Sequence, residues 1–173
     1  MIIEPLAGAL GAEVRGVVLA DLQDETAWQA IRRAFLRYSV LAFRDQALEP
    51  ADLMRVGGRF GEPCFYPFVT GLDGYPHIFE VVKEEQETTN FGGNWHSDTT
   101  YLAQPPLATL LQALETPAYG GDTLFTPTSP PTRFFMPSDS ASYAAWVLAK
   151  SVSPPYAGVS SAWSSVASGG CAR

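Results

Sequence analysis

The chain has 173 residues, 46% hydrophobic and 12% aromatic, enough for one domain with a real core and too apolar for a globally disordered chain. Eighteen acidic against eleven basic residues give a formal charge of −7, which excludes the basic footprint that recruits nucleic acid or an anionic membrane. Met1-Ile2-Ile3-Glu4-Pro5 lacks the basic and apolar regions of a signal peptide and no run of about 18 apolar residues occurs, so a soluble cytoplasmic protein acting on a small molecule is expected, with self-association as a homo-oligomer left open.

Short β-prone runs punctuated by glycine, Pro5 to Val14 and then Val17-Val18-Leu19, suggest edge strands and turns. From Asp24 the period changes: Trp28, Ile31, Phe35 and Tyr38 recur at helical spacing while Gln29, Arg32, Arg33 and Arg37 take the other face. Asp24 to Tyr38 is therefore an amphipathic helix with Asp24 as its N-cap, its apolar stripe facing a core. Val40-Leu41-Ala42-Phe43 has the composition of a buried strand, and Glu49-Pro50-Ala51-Asp52 opens a second helix carrying Leu53, Met54, Val56 and Phe60. Gly61 to Pro76 is a loop rich in glycine, proline and aromatics, and His77 to Val82 resumes strand character. Phe65, Tyr66 and Phe68 of that loop, with Trp95 further on, either wall a pocket or buttress the core. Leu107 to Leu114 supplies another buried strand, and Gly120-Gly121-Asp122-Thr123-Leu124-Phe125 closes the ordered pattern.

Past Thr126 the composition changes. Residues 1 to 126 hold two serines and 127 to 173 hold eleven, whereas seventeen of the eighteen acids precede Pro127. The chain thus divides into residues 1–126 and a Ser/Ala/Pro-rich tail, 127–173. The tail is either a natural low-complexity segment or, the preferred reading, a departure of the reading frame; on the second it should lack regular strands and leave the domain unfinished. Cys64 and Cys171, 107 positions apart, form neither a disulfide framework nor a thiolate metal pattern, so free thiols are expected.

The chemistry concentrates at Trp95-His96-Ser97-Asp98. On an extended segment, side chains two apart share a face, so His96 and Asp98 could reach one ion. Imidazole and carboxylate together suit Fe(II), and two histidines with one carboxylate form a facial triad with open positions. By itself His-x-Asp is a weak signal.

Its surroundings strengthen it. Asn90-Phe91-Gly92-Gly93-Asn94-Trp95-His96-Ser97-Asp98-Thr99-Thr100-Tyr101, then Pro105-Pro106, then Gly120 to Phe125, closely resembles the taurine/2,4-dichlorophenoxyacetate dioxygenase family of Fe(II)/2-oxoglutarate-dependent enzymes. The likeness extends upstream through Leu41-Ala42-Phe43-Arg44-Asp45-Gln46 and Arg59-Phe60-Gly61-Glu62-Pro63 and covers roughly residues 1 to 126. The resemblance implies a mainly β fold with flanking helices, a double-stranded β-helix or jelly roll of two facing sheets, incomplete in this chain. The strand carrying His96 and Asp98 would begin that barrel. It further implies His96 and Asp98 as catalytic iron ligands, and Thr123 as the hydroxyl that binds a carboxylate of the cosubstrate 2-oxoglutarate. The activity implied is hydroxylation of a small organic substrate by O2, with release of succinate and CO2.

Two further family residues have no counterpart. His77 is the only other histidine and precedes the motif, so it is assigned a structural role, and neither Arg133 nor Arg173 stands in the context of the family's 2-oxoglutarate-binding arginine. The histidine and asparagine with which taurine-type members hold a sulfonate correspond, without gaps, to Phe68 and Gly92. This points to a more apolar pocket lined by Tyr66, Phe68 and Trp95, and to an organic acid as substrate. Two other readings stand beside the dioxygenase: a non-catalytic remnant or binding module on the same scaffold, and a hydrolytic Zn(II) site, for which Thr123 has no role.

Overall fold

The computed structural model describes residues 1–8, 10–83, 88, 93–96, 98, 102, 106–115 and 123–125, and the backbone of 144–149 and 162–168. Its elements in order are β1 (Ile2–Pro5), β2 (Ala12–Arg15), α1 (Glu25–Tyr38), β3 (Val40–Arg44), α2 (Pro50–Gly58), β4 (Pro63–Cys64), β5 (Ile78–Val82), β6 (Ala108–Glu115), β7 (Ala144–Ala149) and β8 (Ala162–Ser168).

Helix α1 forms where its sequence requires it. The Asp24 carboxylate accepts the Thr26 amide at 2.9 Å, satisfying a donor that the first turn leaves over. Trp28, Ile31, Ala34 and Phe35 are buried along one stripe. The Ser39 amide donates the last i→i−4 bond, to the Phe35 carbonyl at 2.8 Å, and the left-handed φ of 62° at Ser39 then turns the chain out of the helix. In α2 the Asp52 carboxylate accepts the Glu49 amide at 3.3 Å. This helix ends at Gly58, short of the expected Phe60. Phe60 is nonetheless buried, in the following turn, edge-on to Phe35 with ring centroids 5.5 Å apart.

The strands form one mixed sheet in the order β1-β2-β3-β7-β6-β8-β4, with β5 also on β8. β3 runs parallel to β2 and β7 and β6 parallel to β7, while β8 is antiparallel to β4, β5 and β6. Between helices and sheet lies a core that includes Val14, Leu19, Ile31, Phe35, Leu41, Phe43, Leu53, Val56, Ile78 and Leu110. Two buried amides tie loops to it. Gln46 accepts the Leu19 amide at 2.9 Å and donates to the Val17 and Arg44 carbonyls at 3.2 and 2.8 Å, and Gln112 donates to the Leu48 carbonyl at 3.1 Å.

Several expectations need correction. Val17 to Leu19 is not a strand, because its main-chain groups bond the Gln46 side chain in place of a neighbouring strand. The tail is not without regular strands, since the backbone of β7 and β8 enters the sheet, β7 between β3 and β6. Cys64 is disulfide-bonded and not the expected free thiol; Cys171 lies outside the described residues. Only one sheet is described, so the second facing sheet of a jelly roll is not among the described residues. No helix among them is long and apolar enough to cross a membrane.

Candidate metal centre

His96 and Asp98 lie between β5 and β6, where Asn94 and Asp98 are bends and the described residues 93–96 belong to no strand. The expectation of a strand carrying both residues is therefore corrected. His96 Nε2 nevertheless stands 3.2 Å from Asp98 Oδ1. A local bond sets the ring, with His96 Nδ1 2.7 Å from the main-chain oxygen of Asn94. The two side chains are about half exposed, at 54% and 45%.

The spacing suits a shared ion. Two donor atoms about 2.1 Å from a metal and at right angles to one another stand about 3 Å apart, close to the observed separation. Nitrogen and carboxylate oxygen are moreover a donor pair that Fe(II) accepts. Among the described residues no third histidine, cysteine, aspartate or glutamate joins them. His77, assigned a structural role from the sequence, has a buried Nδ1 with no hydrogen-bond partner among the described residues.

Thr123 is exposed and outside any strand, and no described hydrogen bond links it to His96 or Asp98. Tyr66 stacks on Phe79 with ring centroids 5.3 Å apart and meets Phe68 edge-on at 5.4 Å, so the expected aromatic grouping exists in part. Phe68 and Trp95 are 70% and 71% exposed. Gly92, Arg133 and Arg173 lie outside them.

A feature that motif reading passed over is the Glu13 carboxylate, buried in β2 and held by two arginines. Arg15 donates to it through Nε and Nη2 at 2.9 and 3.2 Å, and Arg44 Nε lies 3.3 Å away. The hydrogen bonds from Arg15 lead in holding this carboxyl below the usual range; burial opposes them and the charge of Arg44 assists. An open cleft of about 300 Å³ beside it is lined by Glu13, Val14, Arg15, Gly16, Val17, Arg44 and Asp45, and contains none of the candidate site residues. A glutamate flanked by alanine and valine in a short β-prone run was the available signal.

Imidazole and carboxylate are the donor types of the two-histidine, one-carboxylate set that non-haem Fe(II) oxygenases use. Residues 2–129 match the family described as taurine catabolism dioxygenase TauD, TfdA family. A sulfate ester dioxygenase of Pseudomonas putida, named as alpha-ketoglutarate-dependent, is 33% identical over 128 residues, 73% of this chain and 42% of that protein. The (S)-phenoxypropionate/alpha-ketoglutarate-dioxygenase of Sphingobium herbicidovorans is 31% identical over 126 residues, 71% and 44% of the two chains. The crystal structure of a taurine dioxygenase from Burkholderia xenovorans superposes with a TM-score of 0.59 at 32% identity, covering 69% of this chain and 42% of that one. The chain belongs to the TauD/TfdA dioxygenase family, whose members use Fe(II), 2-oxoglutarate and O2. It spans less than half the length of these relatives.

Proposed function

We propose that this chain carries the N-terminal part of a dioxygenase jelly roll, with two iron ligands and one 2-oxoglutarate contact, for hydroxylation of a small organic acid. In that reaction one atom of O2 enters the substrate, C–H becoming C–OH, and the other enters 2-oxoglutarate, which leaves as succinate and CO2. His96 and Asp98 would hold the iron through Nε2 and a carboxylate oxygen. The Thr123 hydroxyl donates to a 2-oxoglutarate carboxylate, a charge-assisted bond that fixes the cosubstrate. Tyr66, Phe68 and Trp95 form the apolar side of the substrate site. When bound, Fe(II) would supply the O2 chemistry that side chains lack. The observation that carries the reading is the 3.2 Å approach of His96 Nε2 to Asp98 Oδ1.

The relatives named for a sulfate ester and for phenoxypropionate support an organic acid with an apolar portion as the substrate class. The test is succinate formation with Fe(II), 2-oxoglutarate and a panel of alkyl sulfates, sulfonates and phenoxypropionates. Slow succinate formation matched by hydroxylated product, and lost in His96→Ala, is expected. Fe(II) binding without succinate from any substrate would instead favour the second reading, a non-catalytic binding module. The lack of a third ligand among the described residues speaks for that alternative.

We further propose that the reading frame departs near codon 126. The change in composition there and the end of the family match at residue 129 support this, while the strands β7 and β8 count against it. Sequencing the encoding DNA decides: another frame past codon 126 that continues the family's pattern bears the proposal out, and the lack of one overturns it.

A further inference from the structure

We propose that β8 is a thiol-sensitive strap for the candidate centre. A disulfide between Cys64 and Cys171 fastens it to β4, and β8 in turn sets the two ends of the segment that carries His96 and Asp98. The consequence for metal rests on the site proposed above; the strap itself does not.

Cys64 is buried in β4, a strand of two residues, and it is disulfide-bonded. Cys171 is the only other cysteine of the chain and lies outside the described residues. Within one chain it is the one partner available to Cys64, and the backbone brings the tail to the right place. Cys64 stands opposite Ala167 of β8, and Cys171 comes soon after the end of β8 at Ser168. A bond between them closes a long loop, which restricts the unfolded chain and favours the strapped state.

β8 holds more than β4. Along one edge it pairs with β4 and then β5, from Pro63 opposite Ser168 to Val82 opposite Ala162, and β4 and β5 have no other strand partner among the described residues. Along its other edge lies β6, from Ala108 opposite Ser168 to Glu115 opposite Ala162. Val82, where the chain leaves β5 toward His96, is thus level with the far end of β6, while Ala108, where β6 begins, is level with β4. β8 therefore fixes the two points between which the chain runs through His96 and Asp98. β6 keeps β7 as a second neighbour, whereas β5 has no substitute for β8. Reduction by a dithiol breaks the S–S bond, forms two thiols and converts the reagent to its own disulfide. It unfastens β8, and β4 and β5 become the strands most easily opened. All of this holds for the polypeptide whichever reading frame encodes its tail.

Tryptic mapping of the full chain without reductant should give Phe60–Lys83 linked to Ser151–Arg173 within a monomer. Amide exchange of β4 and β5 should quicken about tenfold or more on adding dithiothreitol, while α1 and β2 stay unchanged. Cys171→Ser should show the quickened exchange from the outset and no further response to the reagent. Free thiols in the untreated chain, a link between two chains, or exchange in β5 that ignores reduction would each overturn the proposal. For the centre, Co(II) is titrated into the parent and into the double variant Cys64→Ser with Cys171→Ser, which has no thiol to take metal. Weaker binding in the double variant is expected, and equal binding overturns the strap's hold on the centre. Should the link and the exchange be found while Co(II) binds neither protein, the strap stands and the metal-site reading falls.

Discussion

His96 and Asp98 meet through local backbone geometry, so the effect of altering either is direct. His96→Ala and Asp98→Ala are each expected to weaken Co(II) or Fe(II) binding about tenfold or more, measured by calorimetry, while the thermal midpoint stays within a few degrees because both side chains are about half exposed. Thr123→Val should leave metal affinity unchanged and weaken 2-oxoglutarate binding about 10- to 100-fold, the worth of a hydrogen bond to a charged group. At Glu13 the sign follows from its lowered pKa: the folded state holds the ionised form better than the unfolded chain does. Its contribution is present above the usual carboxylate range and is lost as pH falls through the lowered value. The urea midpoint should therefore drop on acidification in the native chain, and Glu13→Gln should flatten that decline. His96 and Asp98 were legible as candidates through the motif around them, since His-x-Asp alone is a weak signal. The bends that unite them were not, since an i, i+2 pair can converge from a strand or from a turn and the sequence does not distinguish the two. Glu13 stayed hidden because its meaning depends on Arg44, which is 31 positions away and adjacent only once β2 pairs with β3.

Elements with strong local signals, such as α1 and β3, were readable. An N-cap, an apolar stripe at 3.6-residue spacing and a short buried run each carry their own cause. Asp24→Ala should cost about 0.5–2 kcal/mol through the lost bond to the Thr26 amide, read from denaturant unfolding. In the loop before β5, a Cβ at Gly71 would run into the Pro76 carbonyl. Gly71→Ala should therefore lower stability and disturb the turn in which the Leu72 amide donates to the Ile78 carbonyl at 2.8 Å, visible as faster amide exchange there. The strands β7 and β8 were not legible. Their backbones pair with β3 and with β4, β5 and β6, contacts distant in sequence that composition does not announce.

For the molecule as a whole, the helices and the β1-β2-β3 side of the sheet enclose a core built almost entirely from the first 80 residues and completed by β6. The candidate centre lies outside it, at an exposed bend between β5 and β6. Stability and site chemistry are thus separable, so variants of His96 or Asp98 can be compared with a folded parent. The family match ends at residue 129 and the chain spans 42% of a relative such as the sulfate ester dioxygenase. If His96 and Asp98 are joined by no further ligand beyond the described residues, the centre should bind metal weakly. The most direct test of the central claim is an anaerobic titration with Fe(II) and then 2-oxoglutarate, followed by visible absorption. A weak metal-to-ligand charge-transfer band that vanishes in both His96→Ala and Asp98→Ala is the predicted result. No band in the parent chain, or a band that survives in both variants, would contradict the account.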